Sequence, residues 1–181
     1  MSNQPPTPAP RSTHDDEAAR PLAELRTSDP DRFLQVLFAP SDARPAVLAL
    51  ATFNLELARI ADYVREPMAG LIRLQWWRDA LAGLARDTPP AHPVLSAMAE
   101  AGLARRLEPD ALVALVDARE VEVDATPLKR IDDLEAHARA TAGGLNALVA
   151  RLSALDAETV EAARTAGTAY GLLGVVRARS E

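Results

Sequence analysis

FNLELARIAD, at residues 53–62, and GTAYGLLGVVRA, at residues 167–178, are the two most informative stretches of this 181-residue chain. Around the first stretch, apolar residues recur three and four positions apart, the spacing of one face of an α-helix. The spacing predicts one helix over about 42–63 and another over about 157–178. Asp156 is in position to cap the second helix.

The rest of the chain is a succession of amphipathic segments separated by proline. No alternating apolar and polar run is long enough for a convincing strand, so the sequence predicts an all-α fold of roughly seven or eight helices. The Ser-Asp-Pro sequence at 28–30 and either Ser41 or Asp42 are expected to cap helices. The further predicted helices cover about 30–40, 67–86, 92–103, 109–123 and 131–152.

Composition narrows the class of protein. The net charge of -6 and the pI near 5.1 argue against a nucleic-acid partner, and the absence of cysteine excludes disulfides and thiolate metal sites. No apolar run is long enough for a transmembrane helix, and residues 1–20 lack the apolar core of a signal peptide. We expect a cytoplasmic protein in which residues 1–15 form a disordered, proline-rich tail and residues 16–181 form a single domain.

In order and spacing, residues 30–178 resemble the squalene/phytoene synthase family of head-to-head prenyltransferases. The resemblance implies an isoprenoid synthase-like helical bundle. In that family an early helix carries Phe-Cys-Arg-x-x-Asp-Asp-x-x-Asp and a later one carries Gln-Leu-x-Asn-x-x-Arg-Asp-x-x-x-Asp. Aspartates one helical turn apart face the same groove and can share Mg²⁺ ions that bridge a substrate diphosphate.

The first of these two boxes lacks most of its acids in this chain. Phe53 matches the opening aromatic residue, Ala58 and Arg59 stand where the family has adjacent acids, and Asp62 keeps a carboxylate. An arginine at position 59 also places positive charge where Mg²⁺ should sit. We therefore expect no cofactor, with Mg²⁺ required only if the chain is an active enzyme.

The second box departs further from the family pattern. Gly171 and Gly174 replace the glutamine and the asparagine, Arg177 is retained, Ala178 replaces the first aspartate, and Glu181 precedes the position of the last. Because family members continue past this box, the resemblance implies a C-terminally truncated bundle with an open groove. Such a groove would favour a protein partner, self-association or peripheral membrane contact.

A particular branch of the family matches other stretches better. GLIRLQWWR at residues 70–78, together with residues 53–58 and 115–120, resembles the branch related to the mitochondrial respiratory complex I assembly factor. In that branch the acid boxes are also degraded. The resemblance therefore implies a fold more firmly than an activity.

Several side chains are candidates for lining the groove that the resemblance implies. They are Phe53, Leu57, Trp76, Trp77 and Tyr170. For the two tryptophans the alternative is core and interface packing.

Three other features have simple structural interpretations. The charge run at 117–124 is typical of a solvated face, and the Arg59 and Glu56 side chains are expected to pair on the helix surface. The glycines spaced by four residues within the last helix are expected to permit close helix packing. The histidines are scattered without the spacing of metal ligands.

Two functional hypotheses follow from these features. The first is a non-catalytic protein that binds a prenyl lipid or assists assembly of a respiratory complex. The alternative is a Mg²⁺-dependent prenyltransferase that condenses two allylic prenyl diphosphates, with Asp62 and Arg177 at the diphosphate end.

Overall fold

The computed structural model describes residues 13–64, 66–123, 128 and 130–178, and within these ranges every regular element is helical. The elements are α1 (Thr13–Ser28), α2 (Pro30–Phe38), α3 (Arg44–Tyr63), α4 (Pro67–Ala85), α5 (Pro93–Glu100), α6 (Leu103–Arg106), α7 (Pro109–Asp117), α8 (Glu120–Val123), α9 (Ile131–Ala138), α10 (Gly144–Leu152) and α11 (Ala157–Ala178). A π-helical turn, Arg139–Gly143, joins α9 to α10. The all-α prediction is confirmed.

The helices are more numerous than the sequence predicted because three predicted segments are subdivided. Gly102, with φ of 67°, separates α5 from α6 in a left-handed conformation that glycine adopts at little cost. A short turn separates α7 from α8, and the π-helical turn interrupts the third segment. Each interruption is local, so the predicted order of segments holds.

The N-terminal region differs from the expectation of a tail over residues 1–15. Residues 1–12 lie outside the described part of the chain, whereas α1 begins at Thr13. α1 could not be predicted from the sequence pattern, because Pro21 lies inside it and proline disfavours helix interiors.

Helix caps follow the sequence at two of three predicted places. The Asp29 carboxylate accepts a hydrogen bond of 3.1 Å from the Arg32 backbone N–H, and Asp156 caps α11 in the same way. The prediction that Ser41 or Asp42 caps α3 is wrong. The turn before α3 is instead closed by the Pro40 carbonyl, which accepts from two successive backbone N–H groups at 3.0 and 2.8 Å.

The core is built around α3, which packs against α1, α2, α4, α5 and α10. Leu50, Phe53 and Leu57 are fully buried along its inward face. α11 packs closely on the π-helical turn and on α10. A Cβ at Gly167 would lie 2.5 Å from the Ala142 carbonyl oxygen, so close helix packing, as predicted, requires glycine there. This packing places the second box opposite α3.

Within the described residues, no helix is both long enough and apolar enough to cross a bilayer.

Candidate functional site

The two stretches that resemble the family boxes meet at one cavity of about 350 Å³, which we call the box groove. Ala58 of α3 lines one wall, and Tyr170, Gly171 and Gly174 of α11 line another. The remaining walls come from α2, α8, α9 and the π-helical turn. Positions from both boxes therefore share one concave site.

A buried arginine lies at one end of the box groove. Arg32 is 7% exposed, and its Nη1 donates to Gln35 Oε1 at 3.1 Å and to Asn146 Oδ1. Its guanidinium also lies over the Tyr170 ring, 5.2 Å from the centroid. Burial lowers the pKa of Arg32, because desolvation penalises its charge.

Tyr170 joins this end of the groove to α2. Its hydroxyl donates to Asp31 Oδ2 at 2.9 Å. Burial, followed by the hydrogen bond to the Asp31 carboxylate, raises the pKa of Tyr170 to about 12. The phenol is therefore a neutral hydrogen-bond donor at physiological pH.

A second arginine, Arg119, also lines the groove. Arg119 donates to Asn54 Oδ1 at 3.0 Å and to Glu122 Oε1 at 2.8 Å, and His137 Nε2 lies 3.0 Å from the same Glu122 oxygen. Burial acts to raise the pKa of Glu122, but the hydrogen bond with His137 and the charge of Arg119 bring it below its ordinary value. The carboxylate is thus ionised and already paired within the chain.

The two residues at the adjacent acid positions of the first box lie on different faces of α3. Ala58 lines the groove, whereas Arg59 lies on another face of α3, where it forms an ion pair with Glu24 and donates to Ser28 Oγ at 2.9 Å. The prediction that Arg59 pairs with Glu56 is wrong, since α1 supplies its hydrogen-bonded carboxylate. The Arg59 side chain therefore ties α3 to α1.

The other charged candidates lie at helix ends. Asp62 is exposed in the last turn of α3 and does not line the box groove. Arg177 is exposed in the last turn of α11, and Ala178 is the last residue of that helix. Glu181 lies outside the described residues. Across the described ranges, no three of the histidine, aspartate and glutamate side chains come together in a way that could hold a metal ion.

Of the predicted groove-lining residues, only Tyr170 lies in the box groove as the structure describes it. Phe53 and Leu57 are fully buried in the core. Trp76 and Trp77 line a second cavity of about 460 Å³, which we call the tryptophan pocket. The structure thus separates the aromatic candidates into a groove, a core and a second pocket.

The sequence missed the polar residues that line the box groove. They are Asp29, Arg32, Asn54, Arg119, Glu122, His137 and Thr141. The interpretation of the 117–124 run as a solvated face is wrong for Arg119 and Glu122, whose side chains are 12% and 24% exposed. A usable signal existed, because Arg119 is spaced by three and four residues from the buried Val116 and Val123.

The chain belongs to the squalene/phytoene synthase family, whose model matches residues 25–181. The fold is also that of a solved structure, the crystal structure of a dehydrosqualene synthase in complex with ligand. That structure is 17% identical to the chain, superposes with a TM-score of 0.72, and the match covers 91% of this chain and 57% of the other. At this identity the structural match shows the fold alone.

Proteins with higher sequence identity to this chain are named as assembly factors and not as synthases. "NADH dehydrogenase (ubiquinone) complex I, assembly factor 6" of Homo sapiens is 33% identical over 158 residues, which cover 87% of this chain and 47% of that protein. The homolog of Drosophila melanogaster is 28% identical over 156 residues, covering 82% and 46%. The chain spans about half the length of the curated relatives it matches.

Proposed function

We propose that this chain belongs to a non-catalytic, assembly-type member of the squalene/phytoene synthase family. The observation that carries the proposal is the content of the box groove. Ala58, Gly171 and Gly174 line it at positions where the resemblance implies metal-binding or polar side chains, and they offer no carboxylate.

The charges that do line the groove favour a structural role. A Mg²⁺ ion that bridges a diphosphate needs carboxylate oxygens free to bind it. Glu122 is engaged by Arg119 and His137, and Asp29 accepts from the backbone of α2. The groove also presents the guanidinium groups of Arg32 and Arg119, which oppose a nearby cation.

The names of the relatives support the assembly role. Those proteins are named as assembly factors of respiratory complex I, and the match covers 87% of this chain. We therefore propose a protein partner from a respiratory complex or from one of its assembly intermediates. A bound but unreacted prenyl lipid in the groove is compatible with this role.

A turnover assay tests the non-catalytic part of the proposal. Purified protein is incubated with farnesyl or geranylgeranyl diphosphate and Mg²⁺, and both released pyrophosphate and condensed product are measured. We expect neither, alongside an active family synthase as the positive control. Turnover that is abolished by Asp62→Ala would overturn the proposal in favour of a prenyltransferase.

A genetic experiment tests the assembly part. Deletion of the gene in its host is expected to reduce assembled complex I on native gels and NADH oxidation by membranes. The wild-type gene and Asp62→Ala should both restore assembly, because the proposal gives this exposed carboxylate no role. A normal amount of assembled complex I after deletion would contradict the assembly role. The turnover assay would still test the non-catalytic part of the proposal separately.

A further inference from the structure

The tryptophan pocket lies on the side of α3 that faces away from the box groove. Asn54 and Ala58 line the groove, whereas Glu56, Arg59 and Ile60 line the pocket. At 3.6 residues per turn these two sets are separated by roughly half a turn of helix. The pocket is therefore a site distinct from the one that the family boxes form.

Aromatic rings from α4 and from the start of α5 form the pocket wall. The Trp76 and Trp77 rings meet edge to face, with centroids 5.0 Å apart and planes at 78°. The His92 ring lies 5.5 Å from Trp76 and 5.1 Å from Trp77. Phe53 supports Trp77 from the core at 5.1 Å. These contacts fix the wall before any ligand arrives.

The accessible lining of the pocket combines polar side chains with two exposed aromatic rings, Trp76 and Tyr63. Trp77 is only 4% exposed, but Trp76 is 40% exposed and Tyr63 is 71% exposed. A cavity of about 460 Å³ lies within the range of about 300–1,000 Å³ that small-molecule sites occupy in proteins. Such sites combine an apolar wall with a few charged or polar groups that orient the ligand.

The charged side chains that line the pocket indicate which ligand charge it would favour. Arg59 is bound to Glu24 and Ser28, and the charge of Glu56 also acts on it. Arg73 has no hydrogen-bond or ion-pair partner among the described residues, and it lies three and four positions before the two tryptophans on α4. Its planar guanidinium offers five donors, which suit a carboxylate or a phosphate.

We propose that the tryptophan pocket binds a small molecule with an aromatic or compact apolar body and one anionic group. The body stacks on Trp76, and the anion is held by Arg73. Glu56, which also lines the pocket, disfavours an anion placed beside Arg59. This binding site is independent of the proposed function, because it uses neither the box groove nor a prenyl substrate.

The chain offers a direct readout for this proposal. Its two tryptophans both line the pocket, so both indole Nε1–H signals in a ¹H–¹⁵N spectrum report on the site. The variant Trp76→Phe assigns the two signals. The probes are 2-naphthoate, the neutral 2-naphthamide and the cationic 2-(aminomethyl)naphthalene, which share one ring system and differ in charge.

We expect 2-naphthoate to shift both indole signals saturably. The amide should bind at least about tenfold more weakly, since one charge-assisted hydrogen bond contributes a factor of this order. Arg73→Gln should weaken 2-naphthoate to the level of the amide. Arg151→Gln, which changes an exposed arginine on α10, is the matched control and should leave the affinity unchanged.

Several outcomes with the naphthalene probes would overturn the proposal. They are equal affinity for acid and amide, tightest binding of the cation, unchanged 2-naphthoate affinity in Arg73→Gln, and no indole shift at millimolar probe. Saturation by an acidic peptide without any response to 2-naphthoate would mean that the pocket takes a protein segment, which also overturns it. The probe titrations contain neither Mg²⁺ nor a prenyl diphosphate. A negative result in them would therefore not change the interpretation of the turnover assay.

Discussion

Single glycines determine how closely α11 approaches its neighbours. A methyl group at Gly167 would meet the Ala142 backbone oxygen at 2.5 Å, whereas one at Gly174 would have no atom within 4 Å. We predict that Gly167→Ala lowers the free energy of unfolding by about 1–3 kcal/mol, because two packed helices must separate. Gly174→Ala is the matched control and should raise it by about 0.5 kcal/mol through helix propensity. Urea denaturation measures both, and equal effects of the two variants would contradict the packing explanation.

The ionisation of one tyrosine gives a second prediction for a single side chain. Burial and the hydrogen bond to Asp31 raise the pKa of Tyr170 to about 12 from an ordinary value of 10.0. Between these values the unfolded chain loses a proton that the folded chain retains. The stabilisation is therefore complete below about pH 10 and is lost as pH rises towards 12.

Absorbance of tyrosinate measures this pKa once the second tyrosine is removed by Tyr63→Phe. The native midpoint should lie above that of the same chain in guanidinium chloride. Asp31→Asn should lower it, since the variant replaces the charged hydrogen-bond acceptor with a neutral amide oxygen. Asp42→Asn, at an exposed carboxylate, serves as the control. A native midpoint equal to the unfolded one, with helical content intact, would be inconsistent with the assigned contact.

Between elements, the Glu122 carboxylate joins α8 to α9 through His137, and Arg119 extends the connection to Asn54 on α3. The pKa of Glu122 is lowered despite its burial, because His137 and Arg119 favour the charged form. A carboxylate of this kind stabilises the fold above its unfolded pKa, near 4.5, and the contribution is lost as pH falls through the lower folded value.

We predict that Glu122→Gln lowers the free energy of unfolding by about 1–3 kcal/mol at neutral pH, the range for hydrogen bonds to charged groups. The difference from wild type should shrink in acid. Glu135→Gln, at an exposed position of α9, is the control and should have a small effect at every pH. Urea denaturation at pH 7 and near pH 3 compares them. A Glu122→Gln effect of the same size at both pH values would show that the carboxylate charge is not involved.

Helices that are determined by local sequence patterns could be predicted from the sequence. Proline positions and apolar spacing give α3, α4 and α11 nearly to the residue, since these helices are decided by their own side chains. The interruptions at Gly102 and at the π-helical turn follow from packing between elements, which periodicity does not encode. The same limit applies to the contacts of Arg119 with Asn54 and of Glu122 with His137, which depend on where α8 docks.

At the scale of the whole molecule, the box groove is a product of distant parts of the chain. Arg32 on α2 contacts Asn146 on α10, 114 positions away, and Tyr170 on α11. The family resemblance located Ala58, Gly171 and Gly174, because these positions belong to its boxes. The resemblance could not locate Arg32, because the family pattern names acids at this site. In this chain a polar network that includes Arg32 takes their place.

Arg32 therefore connects the N-terminal helices to the C-terminal ones. It makes these contacts through its planar guanidinium group. Lysine keeps the charge but loses the fork of donors and the stacking on Tyr170. We predict that Arg32→Lys lowers the free energy of unfolding by about 1–3 kcal/mol, whereas Arg26→Lys, an exposed control on α1, changes it little.

A double-mutant cycle of Arg32→Lys with Asn146→Ala separates the pair from its surroundings. If the hydrogen bond links the two ends of the chain, the two losses should not add, and the interaction energy should be about 0.5–3 kcal/mol. Additive losses would mean that the hydrogen bond to Asn146 contributes nothing and that Arg32 acts through Gln35 and Tyr170. A non-additive result, with an unchanged dependence on urea, would show that the Arg32–Asn146 contact joins the N-terminal and C-terminal helices of the bundle.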